Sequence, residues 1–184
     1  MREGNQIRLI WISPITKHFV AIAFAVTALA GAATAAVAAE NVSVKAVMVP
    51  KESIKMNFQD GSKHFVLMVR REGKAEGQGA LAGAEVTEYG WHDINPPRDG
   101  DPRGYLQFRA ANGDIANIKW AVCAVFFKGD KKPRLADYGQ WELASGTGQF
   151  ANMTGVGTLT IKPVSKTDRL FTLTGEIGPR PGPR

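Results

Sequence analysis

The segment Gly139–Gly157, GQWELASGTGQFANMTGVG, constrains the fold of this 184-residue chain more than any other stretch. It reads as a strand, a glycine-rich turn, a short irregular bridge and a second strand. Glycines at 146, 148, 155 and 157 surround two apolar residues, Phe150 and Met153. Glycine serves where the backbone must take a positive φ or pass close to another backbone. Four of them around two apolar plugs predict a corner that closes a β-barrel.

The rest of the chain agrees with that corner. No stretch sustains helical apolar spacing over a dozen residues, whereas several alternate with period 2. Ile54, Met56 and Phe58 alternate with Lys55, Asn57 and Gln59, and Asp60-Gly61 follows as a two-residue hairpin turn. That register puts positions 54, 56, 58, 63, 65, 67 and 69 on one core-facing side. A second hairpin is signalled at Asn112-Gly113. With Ala111 opposite Asp114, Tyr105, Gln107, Arg109 and Trp120 share a face. The run Trp120–Phe127 is apolar on both sides, which predicts a strand covered on one face and protected on the other. Further strands are expected at 43–49, 84–92, 136–144, 157–162 and 169–177. About eight antiparallel strands with short turns predict an all-β fold, a small closed, calycin-like barrel with room for side chains or one small ligand.

Three segments divide the chain. Arg2, Arg8 and Lys17 precede an uncharged stretch, Phe19–Ala30, and Ala36-Val37-Ala38 fits the small-x-small cleavage rule. Residues 1–39 therefore read as a cleaved signal peptide rather than a stable membrane anchor, and a periplasmic or secreted location follows. Residues 40–177 form the barrel domain, and 178–184, GPRPGPR, a disordered tail. Without the signal, 20 basic residues stand against 16 acidic ones, a net charge of about +4. The basic residues are scattered, which argues against nucleic acid as a partner. Cys123 is the one cysteine, so no internal disulfide forms; its apolar surroundings predict a buried small hydrophobe.

Few constellations carry chemistry. Gly146–Ala151 matches the dinucleotide fingerprint in letters, but a strand follows where that motif needs a helix. The polar stretch Gly90–Gly104 reads as the longest loop, a stiff rim or lid with six charged or titratable side chains. Asp93, Asp99 and Asp101 in it lack the register of a calcium loop, and two mature-chain histidines with no paired spacing give no zinc site. No metal and no cofactor is expected. His64 reads as a surface residue, and His92 as an acid or base with Asp93 or Glu88. The favoured binding set is Tyr89, Trp91, Tyr105, Gln107, Arg109 and Trp120. These would make an aromatic cavity with a few polar handles if their faces turn inward, and an outer girdle if they turn outward.

The pattern GTG-x-F-x(4)-G-x-G over Gly146–Gly157 resembles the signature of allene oxide cyclase and dirigent-like barrel proteins. Trp141, Gly146, Gly148, Phe150, Gly155 and Gly157 carry the resemblance, which implies a structural role for them and an eight-stranded barrel around an apolar cavity. It transfers no catalytic residue. The leading expectation is an exported barrel that binds a small hydrophobic or aromatic molecule in its interior. The alternatives are a cyclase- or isomerase-like enzyme that steers a reactive intermediate, and a structural or protein-interaction module. Self-association stays open.

Overall fold

A computed structural model describes residues 38–129 and 134–182. Residues 1–37, most of the segment read as a signal peptide, lie outside it. Nine strands follow in order: β1 (Glu40–Asn57), β2 (Phe65–Lys74), β3 (Glu76–Gln78), β4 (Glu85–Asn95), β5 (Asp99–Arg109), β6 (Ile115–Phe127), β7 (Arg134–Gly146), β8 (Met153–Pro163) and β9 (Arg169–Pro179). Every long strand pairs antiparallel with its neighbours. Strand β1 closes the barrel because its first half pairs with β9 and its second half with β2. Short β3 lies against β1 at Ser43–Lys45. The result is the expected eight-stranded closed barrel. Among the described residues no helix is long and apolar enough to cross a membrane.

Period-2 alternation fills the interior. Val42, Val44, Ala46 and Met48 turn inward from β1; Leu106 and Phe108 from β5; Ala116, Ile118, Trp120 and Val122 from β6. Trp141, Phe150, Leu159, Ile161, Phe171 and Leu173 complete a tightly buried core. Full burial of side chains of this size contributes about 1.5–3 kcal/mol each, so the interior supplies the main driving force for folding.

The glycine-rich corner is built as its residues require. Gly148 takes φ +51° and begins a single 3-10 turn, Gly148–Phe150, that drives Phe150 into the barrel end. A Cβ on Gly148 would collide with the carboxylate of Asp114, which accepts the N–H of Gln149 at 2.9 Å. The Trp141 indole lies across the strands and donates to the Thr174 carbonyl at 3.2 Å. It passes so close to Gly157 that a Cβ there would sit 2.6 Å from the ring.

Both expected hairpin registers are off by one residue, and each slip has a local cause. At the second hairpin Ala110 pairs with Asp114, leaving a three-residue loop whose Gly113 takes φ +90°. Arg109 therefore faces Ile115, and Trp120 faces Gly104. A one-residue slip flips every side chain, so Trp120 points inward while Tyr105, Gln107 and Arg109 point outward. At the first hairpin the Phe58 N–H bonds the His64 carbonyl and Met56 pairs with Val66. Phe65, Leu67 and Val69 share the parity of the inward β4 residues, as expected, but Ile54 and Met56 lie on the outer face. Ile54 is 68% exposed.

Three further expectations change. The segment 90–104 is a hairpin rather than a loop: β4 and β5 stay paired to Asn95 and Asp99, and the Arg98 N–H bonds the Asn95 carbonyl to close the turn. Cys123 is exposed, because within the apolar run Trp120–Phe127 it is the even-numbered Trp120, Val122 and Ala124 that are buried inside. Strand β9 runs two residues into the segment read as a tail, with Pro179 opposite Met153.

Candidate functional site

Two places collect the side chains that sequence reasoning singled out. The first is the outer wall across β1, β2 and β4. Tyr89 and Trp91 lie here, 53% and 40% exposed, with Tyr105 beside Tyr89 on β5. Backbone pairing aligns Ile54 with Met68 and Met68 with Trp91, so three apolar side chains stand in a row across the strands. Together with Glu52, Ser53, Arg70 and Tyr89 they line an open groove of about 410 Å³. Arg70 forms ion pairs with Glu52 and Glu72 at its edge. Gln107 is half-buried on the same wall and donates to Asn117 at 3.1 Å, while Arg109 is exposed near the strand end. Five of the six residues in the favoured binding set therefore line the outside of the barrel rather than a cavity within it.

Trp120, the sixth, belongs to the second place, a cluster of ionisable groups inside the barrel. Arg71, Glu88, His92 and Asp137 are all buried. Arg71 Nη1 donates to Glu88 Oε2 at 2.7 Å, and His92 Nε2 lies 3.0 Å from Glu88 Oε1. Glu88 and His92 are four residues apart on β4, too far to meet along an ordinary strand. They meet over Gly90, where any Cβ would press against both the Glu88 carboxylate and His92 Nε2. The same Nε2 lies 3.2 Å from Arg71 Nη1. A ring nitrogen accepts from a guanidinium only when it carries no proton and donates to a carboxylate only when it does. The position of one proton thus decides whether His92 bonds Arg71 or Glu88.

Asp137 enters from β7, next to Ala124 on β6 and Ile161 on β8. Burial pushes its carboxyl up from 3.8 to about 7, against the pull of Arg169 and Arg71. Among the described residues, three buried polar atoms in this interior find no hydrogen-bond partner: Arg71 Nε, Trp120 Nε1 and Asp137 Oδ1. Such atoms are costly to leave unpaired. A buried carboxyl raised to about 7 and a His–Glu contact in the same interior are the kinds of groups that acid–base chemistry uses. Sequence reasoning paired His92 with Glu88 but missed Arg71 and Asp137. The signal was one of phase: Glu88 and His92 share parity with Val86 and Ile94, and Asp137 with Trp141 and Leu143, all buried.

The remaining titratable candidates stand apart. His64 is half-buried, stacks on Phe58 with ring centroids 3.7 Å apart and contacts Asp93 Oδ1 at 2.5 Å, so it is more than a plain surface residue. Asp93 faces Asp101 across the β4–β5 hairpin. Among the described residues no three His, Cys, Asp or Glu side chains are arranged to hold a metal ion.

Fold and side chains together define a small closed β-barrel with an apolar groove outside and an ionisable cluster inside. No family model matches the chain, and no curated protein matches it. Among solved structures it is similar to a conserved protein of unknown function from Rhodopseudomonas palustris, at 11% identity and a TM-score of 0.46, over 78% of this chain and 99% of that one.

Proposed function

We propose that this protein is an exported, allene oxide cyclase- or dirigent-like barrel that binds a small hydrophobic or aromatic molecule in the outer groove. The carrying observation is the apolar row Ile54, Met68 and Trp91, flanked by Tyr89, in a groove of about 410 Å³. That volume falls within the range of small-molecule sites. The interior is a less favourable place for an apolar guest, because Trp120, Phe108, Phe171 and Leu106 already fill it. Flat aromatic faces suit a planar ligand, and the Arg70 guanidinium at the rim suits a carbonyl or hydroxyl on it. Export rests on the basic and apolar N-terminal sequence.

The test is a fluorescence titration with the neutral probe N-phenyl-1-naphthylamine. Saturable enhancement is expected, weakened about tenfold by Trp91→Ala, since loss of the groove's indole removes on the order of 1–2 kcal/mol of apolar contact with the ligand. Tyr138→Ala, on β7, leaves it unchanged. Equal binding by both variants, or none by the parent, sinks the proposal. Native mass spectrometry of the chain from its own export compartment then identifies the natural ligand.

One observation favours an enzymatic second reading: the His92–Glu88 contact on β4 and Asp137 on β7, with β5 and β6 between them around the barrel, put proton-transfer groups in one interior. In that reading His92→Gln abolishes turnover of the ligand found by mass spectrometry while leaving its affinity intact.

A further inference from the structure

At the end of the barrel where β7 begins, β8 ends and β9 begins, a pocket of about 550 Å³ is lined by Arg134, Leu135, Lys162, Pro163, Ser165, Lys166 and Arg169. Among the described residues, four of the seven that line it are cationic and none is acidic. Among the described residues, none of the four cations forms an ion pair with a carboxylate. A concave surface of one sign focuses its field and concentrates ions of the other sign.

Arg169 distinguishes this pocket from a plain basic surface. Its guanidinium is half-buried, and its hydrogen bond is to a neutral acceptor, from Nη1 to the Asp168 carbonyl at 2.9 Å. Burial and the repulsion of Arg71 hold it below its ordinary value, with Asp137, Glu88 and Asp168 countering only in part. The charge of a half-buried arginine is therefore under-compensated by the protein itself. Burying a cation without a contacting anion is unfavourable, and an anion brought to it removes the penalty. Asp137 behind it does not serve: its Oδ1 touches no donor, and burial favours its neutral form.

We propose that this mouth is a binding site for a small oxyanion, a carboxylate, sulfate or phosphate group, with Arg169 as its floor and Lys162, Lys166 and Arg134 as its rim. The planar fork of Arg169 suits two oxygens of one such group. Behind it, Asp137 is faced by Arg169 from β9 and Arg71 from β2, the latter already tied to Glu88 and His92 of β4; Ala124 and Ile161 beside it carry no charge. An anion on Arg169 repels ionised Asp137 and favours its protonated form. Occupancy is thus linked to proton uptake, and affinity falls as pH rises through about 7.

Calorimetric titration of the mature chain with inorganic sulfate tests the site, at constant ionic strength, because sulfate keeps its charge throughout this range. Parallel titrations with acetate and inorganic phosphate then show which oxyanion is preferred. The expected result is saturable binding, weakened at least about tenfold by Arg169→Gln and by Lys162→Gln with Lys166→Gln. Both lysines are exposed, so the double variant folds whatever Arg169→Gln does. Asp137→Asn is expected to flatten the pH dependence. Absence of saturable binding for all three anions, or a lysine double variant that binds as tightly as the parent, overturns the proposal.

Discussion

Asp137 makes the stability of this barrel depend on pH in an unusual direction. Its carboxyl titrates at 3.8 in the unfolded chain and at about 7 when buried. A carboxyl raised in the folded state contributes stability that is complete below 3.8 and is lost as pH rises through 7, because in that interval the folded state holds a proton that the unfolded state has released. Each pH unit in the interval is worth about 1.4 kcal/mol. About three units separate the two values, so the whole loss is on the order of 4 kcal/mol. Between about pH 5 and pH 8 the share of this loss is roughly 2–3 kcal/mol. That is a large fraction of the 5–15 kcal/mol typical of a domain. Asp137→Asn keeps the shape and removes the titration. Urea denaturation of parent and variant at the two pH values measures the difference directly. Relative to the parent, the variant should gain roughly 2–3 kcal/mol between the acid and the alkaline measurement. A parent–variant difference that is the same at both values would refute the reasoning, since other carboxylates titrate alike in the two proteins.

Other perturbations test the packing. Glu88→Gln should cost about 3–5 kcal/mol in urea denaturation, because it strands the buried charge of Arg71; adding Arg71→Met should restore part of the loss, and a purely additive double variant would argue against direct coupling. Gly148→Val should cost on the order of 2–3 kcal/mol, from left-handed strain and displacement of the Asp114 carboxylate that holds the corner. An unchanged melting temperature for that variant would remove the structural role assigned to the motif. Cys123, exposed on the outer wall, should react stoichiometrically with a thiol reagent in the folded protein; reaction only after denaturation would contradict its placement.

How much of this was legible beforehand follows from where each signal resides. Strand identity is written locally, in alternation such as Ile54-Lys55-Met56-Asn57, and all the expected strands are present. The corner is also local: Gly146, Gly148 and Phe150 act within a few residues of one another. The lid expected at 90–104 failed because Pro, Asp and Arg are common loop formers, yet pairing of β4 with β5 down to Asn95 and Asp99 overrides that preference. Facing was harder to read. A register shift of one residue at each hairpin inverts a face, and turn length rests on backbone angles such as φ +90° at Gly113 rather than on the letters Asn-Gly alone.

By itself the sequence determined an all-β chain, a barrel of about eight strands and the glycine corner that closes it, since period-2 burial and positive-φ glycines are properties of residues near one another. Tertiary structure alone decided what the barrel presents. It set Tyr89, Trp91 and Tyr105 outside and Trp120 inside, because strand register is fixed by turn geometry and closure. It also drew Arg71, Glu88, His92, Asp137 and Arg169 together from four strands. Each is an ordinary polar letter in its own strand, and the electrostatic coupling that sets them apart exists only once the sheet has curved round to face itself.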